Sequence, residues 1–228
     1  MAKASINFQT ATTHTNNHMN RKSKVNYLIK HNLGVNQYRH YANENEALER
    51  AEKLTKEKTK RSMQKLAKEN FVQEAVLNLN EHHNIEDVEN VFNKLQEKYG
   101  GFEVFNIAVH KDEGVFVNSK YDISKLTYDS INQKWTNSEG VDLTNEVISV
   151  APNRDIFYNK DDKTWYSSKD FQTPIDTNKL QKHMNYHAHI TFTKFDFNKG
   201  KNVRLQKKDM QDIQTLVAET LGMERGEK

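Results

Sequence analysis

The sequence contains no cysteine and only two prolines among its 228 residues. The absence of cysteine excludes disulfides and thiolate metal sites, so any metal ligand must come from His, Asp or Glu. No apolar run is long enough to span a bilayer, and the first ten residues, MAKASINFQT, lack the features of a signal peptide. We therefore expect a cytoplasmic chain that makes no contact with a membrane.

Charge is present in both signs and leaves a formal net charge of only +3. This mild excess permits nucleic-acid binding without arguing for it. The positive residues are more informative in their distribution, because they cluster near the N-terminus and again late in the chain. Such clusters fit a solvated surface and a nucleic-acid contact equally well. The two clusters used below are Arg21, Lys22 and Lys24, and Arg204, Lys207 and Lys208.

Hydrophobic periodicity and turn signals predict a series of helices and strands. Asn84 and Asp87 form a helix-capping pattern, and Gly100 and Gly101 end that helix. Residues 1–43 carry no strong period. In chain order, the predicted elements are a charged helix over 44–69, a strand over 71–79, the helix from Asn84, strands over 102–110 and 186–195, and a last helix that ends at Gly222.

Residues 114–184 are turn-rich and aromatic, and the segment IFYNKDDKTWYS (156–167) predicts a hairpin. The order strand, helix, strand, insert, strand, helix predicts an α+β fold, in which an antiparallel sheet carries its helices packed on one face. We expect a single domain over 1–228, with 114–184 as an internal insert.

The segment His187-Ala188-His189 lies within the third predicted strand. Side chains two residues apart point to the same face of a strand, about 6.5 Å apart, so two imidazoles can share one metal ion. Tyr186, Ala188, Ile190 and Phe192 form the apolar face, opposite His187, His189, Thr191 and Thr193. Taken alone, a His-x-His pair is more often a half-exposed strand without a ligand.

A second polar segment, His110-Lys111-Asp112-Glu113-Gly114, ends the strand over 102–110. Phe105, Ile107 and Val109 form the predicted core face, whereas Asn106, Ala108 and His110 form the other face. If this strand lies beside 186–195, at about 4.8 Å, His110 completes a set of three histidines. The two segments together favour a site more than either one alone.

Four segments resemble one known family: HMNRKSKVNYLI (18–29), AVHKDEG (108–114), NYHAHITF (185–192) and LGMERG (221–226). They are similar to the plasmid mobilisation relaxases, the Mob family, which belong to the nuclease superfamily named for a His-hydrophobic-His strand. The resemblance covers most of the chain from residue 14 onward. It departs from the family in the length of the 114–184 insert, which is longer than the family leads us to expect, and in Asn20, which sits one place later.

The resemblance implies an approximately five-stranded antiparallel sheet with His-x-His on a central strand. It implies one divalent metal ion, Mn²⁺ or Mg²⁺, held by His110, His187 and His189. The implied activity is site- and strand-specific DNA nicking and strand transfer at a plasmid origin of transfer, through a covalent protein–DNA intermediate, in the bacterial cytoplasm. The implied partners are origin DNA, single-stranded or hairpin near the nick, and accessory proteins of the relaxosome.

The resemblance also implies a nucleophile near the N-terminus, and three residues compete for that role. His18 stands three residues before Arg21, as in the family's His-x-x-Arg spacing, and His14 lies four residues earlier. Tyr27 has the chemistry of the wider superfamily but lies in an apolar stretch. A neutral imidazole is nucleophilic near pH 7, and Glu113 is the candidate proton acceptor, with Asp112 secondary.

The two basic clusters are the candidate DNA contacts. Arg21, Lys22 and Lys24 lie beside the candidate nucleophile and are expected near the scissile phosphate. Arg204, Lys207 and Lys208 flank the start of the last helix and are the weaker candidates.

Other functions remain open from the sequence. A rolling-circle replication initiator or a single-strand transposase shares the histidine pair, but these usually carry a tyrosine on a helix after it. No tyrosine follows His189 in this chain. A non-catalytic, metal-containing DNA-binding module is a further alternative, although structural sites are usually closed by four protein ligands.

Overall fold

The computed structural model describes residues 3–22, 25, 27–29, 35–129 and 132–226. The chain divides into two compact units. The larger unit, called the sheet unit below, comprises Ala2–Ser23, Asn36–His110 and Tyr186–Lys228. The smaller unit, called the insert unit, comprises Met1, Lys24–Val35 and Lys111–Asn185 and therefore contains the predicted insert, 114–184.

The sheet unit is built on a five-stranded antiparallel sheet. The order of elements predicted an antiparallel sheet, and the family resemblance implied about five strands. Its strands, in chain order, are β1 (Ile6–Thr10), β2 (Gln37–His40), β3 (Gln73–Asn78), β4 (Glu103–His110) and β13 (His187–Thr193). Their order across the sheet is β1-β3-β13-β4-β2. Because β13 pairs with β3 on one side and β4 on the other, its residues have neighbours on both sides.

The apolar face of this sheet carries the main core. Alternation along β13 directs Ala188, Ile190 and Phe192 into a buried cluster, as predicted. Two amphipathic helices cover that cluster, α4 (Ile85–Tyr99) and α5 (Lys207–Leu221). Their packing leaves the opposite face of β13 to the histidines and threonines.

Local signals at the ends of these helices act as the sequence predicts. The Asn84 side chain accepts from the backbone N of Asp87, and Asp87 accepts from the backbone N of Asn84. Gly100, with a φ of 71°, ends α4, and Gly222, with a φ of 59°, ends α5. Glycine suits both positions because it adopts positive φ without a Cβ clash.

The single helix predicted over 44–69 is wrong, because the chain forms two helices there. Helix α2 (Glu44–Thr59) ends at Lys60, which has a left-handed φ of 58°, and a short α3 (Lys65–Glu69) follows. The turn between them buries Met63 in a second apolar cluster with Ala47, Ala51 and Phe71. The run of charges after Leu54 offers no apolar stripe that would continue the helix.

Phe105 does not share a face with Ile107 and Val109, so that prediction is also wrong. The register between β4 and β13 shifts beside Thr191 and Phe192, where a β-bulge leaves Phe105 without a direct partner. A bulge reverses the side-chain alternation beyond it. Phe105 therefore packs in the second apolar cluster, while Ile107 and Val109 stay in the main core.

Residues 1–43, in which no period was visible, contain β1, β2 and the helix α1 (Thr13–Met19). The placement of α1 corrects the prediction that the helices pack on one face. Its Thr15 hydroxyl donates to Glu74, whose side chain lies on the face of β3 opposite the buried Ala75 and Leu77. Helix α1 therefore contacts the polar face of the sheet, because a seven-residue polar helix has little to bury in the core.

Among its described residues, the insert unit has three small antiparallel sheets. Their strands are β5 (Gly114–Asn118), β6 (Thr127–Asp129), β7 (Lys134–Thr136), β8 (Ile148–Val150), β9 (Phe157–Asn159), β10 (Thr164–Tyr166), β11 (Pro174–Ile175) and β12 (Gln181–Met184). Strands β9 and β10 form the predicted hairpin, with Trp165 paired to Tyr158. Two buried clusters, centred on Trp165 and Trp135, give this unit its own core.

Strands β14 (Phe195–Asp196) and β15 (Lys201–Asn202) form a short hairpin after β13 in the sheet unit. Over the described ranges, none of the helices combines the length and apolar character that crossing a membrane requires.

Candidate metal centre

Three histidines meet on the polar face of the sheet. His187 and His189 project from β13 on the face opposite Ala188 and Ile190. His110 ends β4 and is the direct register partner of His187. The two strands are therefore neighbours, which was the condition for His110 to join the His187–His189 pair. Their ring centroids lie 5.0 Å apart for His187 and His189 and 5.3 Å apart for His110 and His187.

A fourth histidine, His18, joins them from α1. Its ring centroid lies 4.7 Å from that of His189 and 5.2 Å from that of His110. Each of the four residues offers one ring nitrogen, and these four nitrogens all lie within 4.8 Å of one another. The structure thus groups the three predicted metal ligands with the leading candidate for the nucleophile.

Glu74 on β3 fixes the ring of His189. A distance of 2.7 Å joins His189 Nδ1 to Glu74 Oε1, and Glu74 is only 2 % exposed. The other carboxylate oxygen, Oε2, accepts from Gln9 Nε2 at 2.6 Å and from the Thr15 hydroxyl at 2.8 Å. Glu74 therefore ties β1, α1 and β13 together behind the histidines.

The electrostatics around Glu74 determine which nitrogen His189 exposes. Burial raises the pKa of Glu74, but its hydrogen bonds with His189, Gln9 and Thr15 outweigh burial and lower that pKa below its usual value. Burial lowers the pKa of His189 and outweighs the hydrogen bond with Glu74, which raises it, while repulsion from His18 and His110 adds to the lowering. Glu74 is thus ionised and can only accept, so neutral His189 carries its proton on Nδ1 and leaves the Nε2 lone pair for a ligand bond.

His110 shows a similar arrangement with the backbone. Its Nε2 lies 3.4 Å from the carbonyl oxygen of Met19, the last residue of α1. Metal-bound histidines usually donate their second ring N–H to a carboxylate or a backbone carbonyl, which orients the ring and increases the basicity of the ligating nitrogen. His189 and His110 each have such a partner.

The donor set fits a metal ion. A divalent ion about 2.0–2.1 Å from each imidazole nitrogen keeps any two ligands within about 4.2 Å of each other. Two of the rings, those of His110 and His187, are almost fully buried, at 1 % and 5 % exposure. Imidazole nitrogens are ligands for divalent transition metals, so the group is suited to a metal ion. Four imidazoles do not identify the metal.

The end of α1 brings Arg21 close to His110. Lys22 N donates to the carbonyl of Asn17 at 2.8 Å, and Arg21 N donates to that of His18 at 3.0 Å. These two bonds form a Schellman motif, in which Arg21 takes the left-handed position with a φ of 54°.

A cavity of about 210 Å³ lies between the end of α1, the start of β2 and the end of β4. Its lining residues are Met19, Asn20, Arg21, Asn36, Gln37, Tyr38 and His110.

The other candidates near the N-terminus are placed as follows. Lys22 is exposed beside Arg21, and Lys24 lies outside the described residues. His14 lies in α1, but its side chain falls outside what the structure describes. Tyr27 belongs to the insert unit, and its side chain is 40 % exposed rather than packed among apolar residues.

Glu113 and Asp112 also belong to the insert unit. Glu113 pairs with Leu28 in an isolated antiparallel bridge, and its carbonyl accepts from the backbone N of Asn185. Both carboxylates are almost fully buried, at 2 % and 1 % exposure, so neither is a solvated turn residue.

The late basic cluster lies on a different face from the histidines. Lys207 and Lys208 begin α5, which packs on the apolar face of the sheet, and Arg204 precedes them. All three residues are exposed. The structure therefore groups His18, His110, His187, His189 and Arg21 in one region and places Arg204, Lys207 and Lys208 elsewhere.

Glu74 is the functional residue that sequence reasoning missed. The signal was a carboxylate inside the predicted strand segment FVQEAVLNL, where it is the one charged residue. Its three hydrogen-bond partners, Gln9, Thr15 and His189, are far from Glu74 in the sequence, so no local sequence pattern predicts these contacts.

Comparisons of the chain with protein-family models, with curated proteins and with solved structures found no match.

Proposed function

We propose that this chain is a DNA relaxase: a metal-dependent enzyme that nicks and rejoins one strand at a plasmid origin of transfer, in the manner of the mobilisation family that its motifs resemble. One observation carries the proposal. His18, on a helix, stands with its ring 4.7 Å from that of His189, beside three histidines on two neighbouring strands. A nucleophile and a three-nitrogen ligand set within one group is the arrangement that this chemistry requires.

His18 is the proposed nucleophile. The lone pair of one ring nitrogen forms a bond to the scissile phosphorus, and the bond from phosphorus to the 3′ oxygen breaks. The ring N–H proton passes to a base, and the departing oxygen takes up a proton to become a 3′-hydroxyl. The product is a phosphoramidate that joins His18 to the 5′ end, and the reverse steps rejoin the strand.

His110, His187 and His189 are the proposed ligands, with Glu74 holding His189 in the tautomer that ligation needs. The ion supplies Lewis-acid polarisation of the scissile phosphate when bound. We propose Mn²⁺ or Mg²⁺ as the working metal, because both favour the phosphate oxygens of the substrate. An all-imidazole set also binds Zn²⁺ or Ni²⁺ well, so affinity is a poor guide to the working metal.

The remaining roles in this mechanism are also proposals. Glu113 accepts the proton of the nucleophile, with Asp112 secondary, and the burial of both carboxylates supports a role inside the protein rather than in solvent. Arg21, supported by Lys22 and Lys24, binds phosphates near the cut. Arg204, Lys207 and Lys208 contact DNA further away. Origin DNA in a bacterial cytoplasm is the substrate, with relaxosome proteins as partners.

The covalent adduct tests this proposal. Supercoiled DNA of the replicon that encodes the chain should be relaxed when Mn²⁺ is added, and an adduct should form with the wild type. A phosphoramidate is lost in acid, whereas a phosphotyrosine ester survives. The adduct should therefore disappear at low pH and be absent from His18→Ala. An acid-stable adduct would assign the bond to a tyrosine, Tyr27 first, and favour a replication initiator or transposase. An adduct lost only in His14→Ala would assign it to His14.

A second candidate function is a metal-binding DNA module without catalysis. The observation that favours it is the closeness of all four nitrogens, within 4.8 Å, because four protein ligands are typical of structural sites. Calorimetry with Mn²⁺ and Zn²⁺ separates the two functions. If His18 is a nucleophile, His18→Ala keeps metal affinity near that of the wild type. If His18 is a fourth ligand, the same variant loses affinity as strongly as His187→Ala.

A further inference from the structure

The cavity beside His110 combines three kinds of side chain that suit a nucleotide. It is lined by Tyr38, which carries an aromatic ring, by the cationic residue Arg21, and by Asn20 and Asn36, which carry amides, together with Met19, Gln37 and His110. The amide oxygen of Gln37 accepts from the backbone N of Ile85, at the start of α4 on the other face of the sheet. Its volume of about 210 Å³ accommodates a single planar base. Aromatic rings bind unpaired bases by stacking, amides bind the edges of bases, and arginine binds phosphate.

Tyr38 is exposed and yet held in place. It lies on β2, the edge strand of the sheet, with 50 % of its surface exposed. Its hydroxyl donates to Asn106 Oδ1 at 2.9 Å, and Asn106 Nδ2 in turn donates to the Thr191 hydroxyl at 2.9 Å. The hydrogen bond already restricts the ring of Tyr38. The ring therefore loses little conformational entropy when a flat ligand stacks on its exposed surface.

The sheet register sets the distance from Tyr38 to the histidines. Tyr38 pairs with Ala108, and Ala108 pairs with His189. Tyr38 and His189 are therefore two strand spacings apart, about 9.6 Å between Cα atoms. Ala108, the residue between them, has only a methyl group and is almost fully buried, at 1 % exposure. One nucleotide extends far enough to place its base on Tyr38 and its phosphate near the histidines.

We propose that the cavity lined by Arg21, Asn36 and Tyr38 beside His110 is a nucleobase pocket, which binds one unpaired base of a single-stranded DNA by stacking on Tyr38. This inference rests on the proposed function and specifies its substrate: the base next to the scissile phosphate is unpaired and flipped onto Tyr38. Stacking tolerates any base, so the pocket sets the position of the strand more than its sequence.

Fluorescence of single-stranded oligonucleotides that carry one 2-aminopurine tests the pocket, with the probe moved one position at a time. The measurement uses the full chain without metal, so that no cutting occurs. Stacking on Tyr38 should quench the probe at one position only. Tyr38→Leu should remove that quenching and weaken binding about 10- to 100-fold, whereas Tyr38→Phe, which keeps the ring, should retain both.

Tyr41→Leu is the matched control. Tyr41 is comparably exposed, at 40 %, but does not line the cavity. Equal losses in Tyr38→Leu and Tyr41→Leu, or equal quenching at every probe position in the wild type, would overturn the pocket. The wild-type scan is decisive by itself if the leucine variant does not fold. A wild type that nicks DNA but shows no position-specific quenching refutes the pocket alone, whereas position-specific quenching without nicking refutes the relaxase alone.

Discussion

The two faces of β13 differ in what holds their side chains. On one face, Phe192 is fully buried and contacts the rings of Phe8, Phe92 and Phe102. On the other face, His189 and Thr191 are fixed by hydrogen bonds to Glu74 and Asn106. Apolar burial therefore fixes the side chains on one face, and hydrogen bonds fix those on the other. Adjacent residues of one strand thus separate the stability of the fold from the chemistry of the site.

Phe192→Ala should give the largest loss of stability. Removing a fully buried phenylalanine from a packed aromatic cluster costs about 3–5 kcal/mol, because it loses apolar burial and leaves a cavity. The free energy of unfolding from urea denaturation measures this loss. His187→Ala in the metal-free protein should lose markedly less, because water can refill a polar cleft but not a dry core. Similar losses at both positions would contradict the division between the two faces.

Glu74→Ala should have the next largest effect, on metal binding. Removing the carboxylate that orients a ligating histidine typically lowers metal affinity about 10- to 100-fold. Calorimetric titration with Mn²⁺ measures the change. Glu86→Gln, which alters a surface carboxylate paired with Arg39, is the control and should keep the affinity of the wild type. Unchanged affinity in Glu74→Ala would mean that His189 does not ligate through the tautomer assigned here.

Arg21→Gly should have the smallest effect and separate backbone from side chain. Arg21 occupies a left-handed position that glycine adopts without strain. We expect Arg21→Gly to be more stable than Arg21→Ala by about 1 kcal/mol, as measured by thermal unfolding. Both variants should flatten the dependence of log DNA affinity on log salt by about one unit or slightly less. An alanine variant as stable as the glycine variant would show that the left-handed backbone at this position carries no strain.

The sequence predicted those parts of the fold whose causes are local. The capping pair of Asn84 and Asp87 and the stop at Gly100 lie within α4 or directly beside it. The alternation of His187 to Phe192 requires only the period of a strand. The grouping of His110 with His187 and His189 was expected if the strands over 102–110 and 186–195 were neighbours, and these strands do pair, with His110 opposite His187.

The rest of the site depended on contacts between distant residues. Helix α1 has only seven residues, and it is held by a capping box between Thr12 and Thr15 and by the Thr15 bond to Glu74. Neither feature produces the hydrophobic periodicity by which a helix is predicted from a sequence. The bulge that moves Phe105 to the second cluster arises from pairing with β13 and leaves no mark in the sequence of β4. The presence of His18 beside the other three histidines follows from these contacts.

The pairing of His110 with His187 has a consequence for the length of the segment that connects β4 to β13. The chain leaves the sheet at His110 and returns to it at the directly opposite residue. An antiparallel pair with such ends can be closed by a turn of about two residues. Closing a longer loop costs only about 0.6 kcal/mol for each doubling of its length. The segment from 111 to 186 can therefore grow, shrink or be exchanged with little strain on the ligand geometry. A minimal scaffold that joins β4 to β13 by a tight turn should still bring the histidines together.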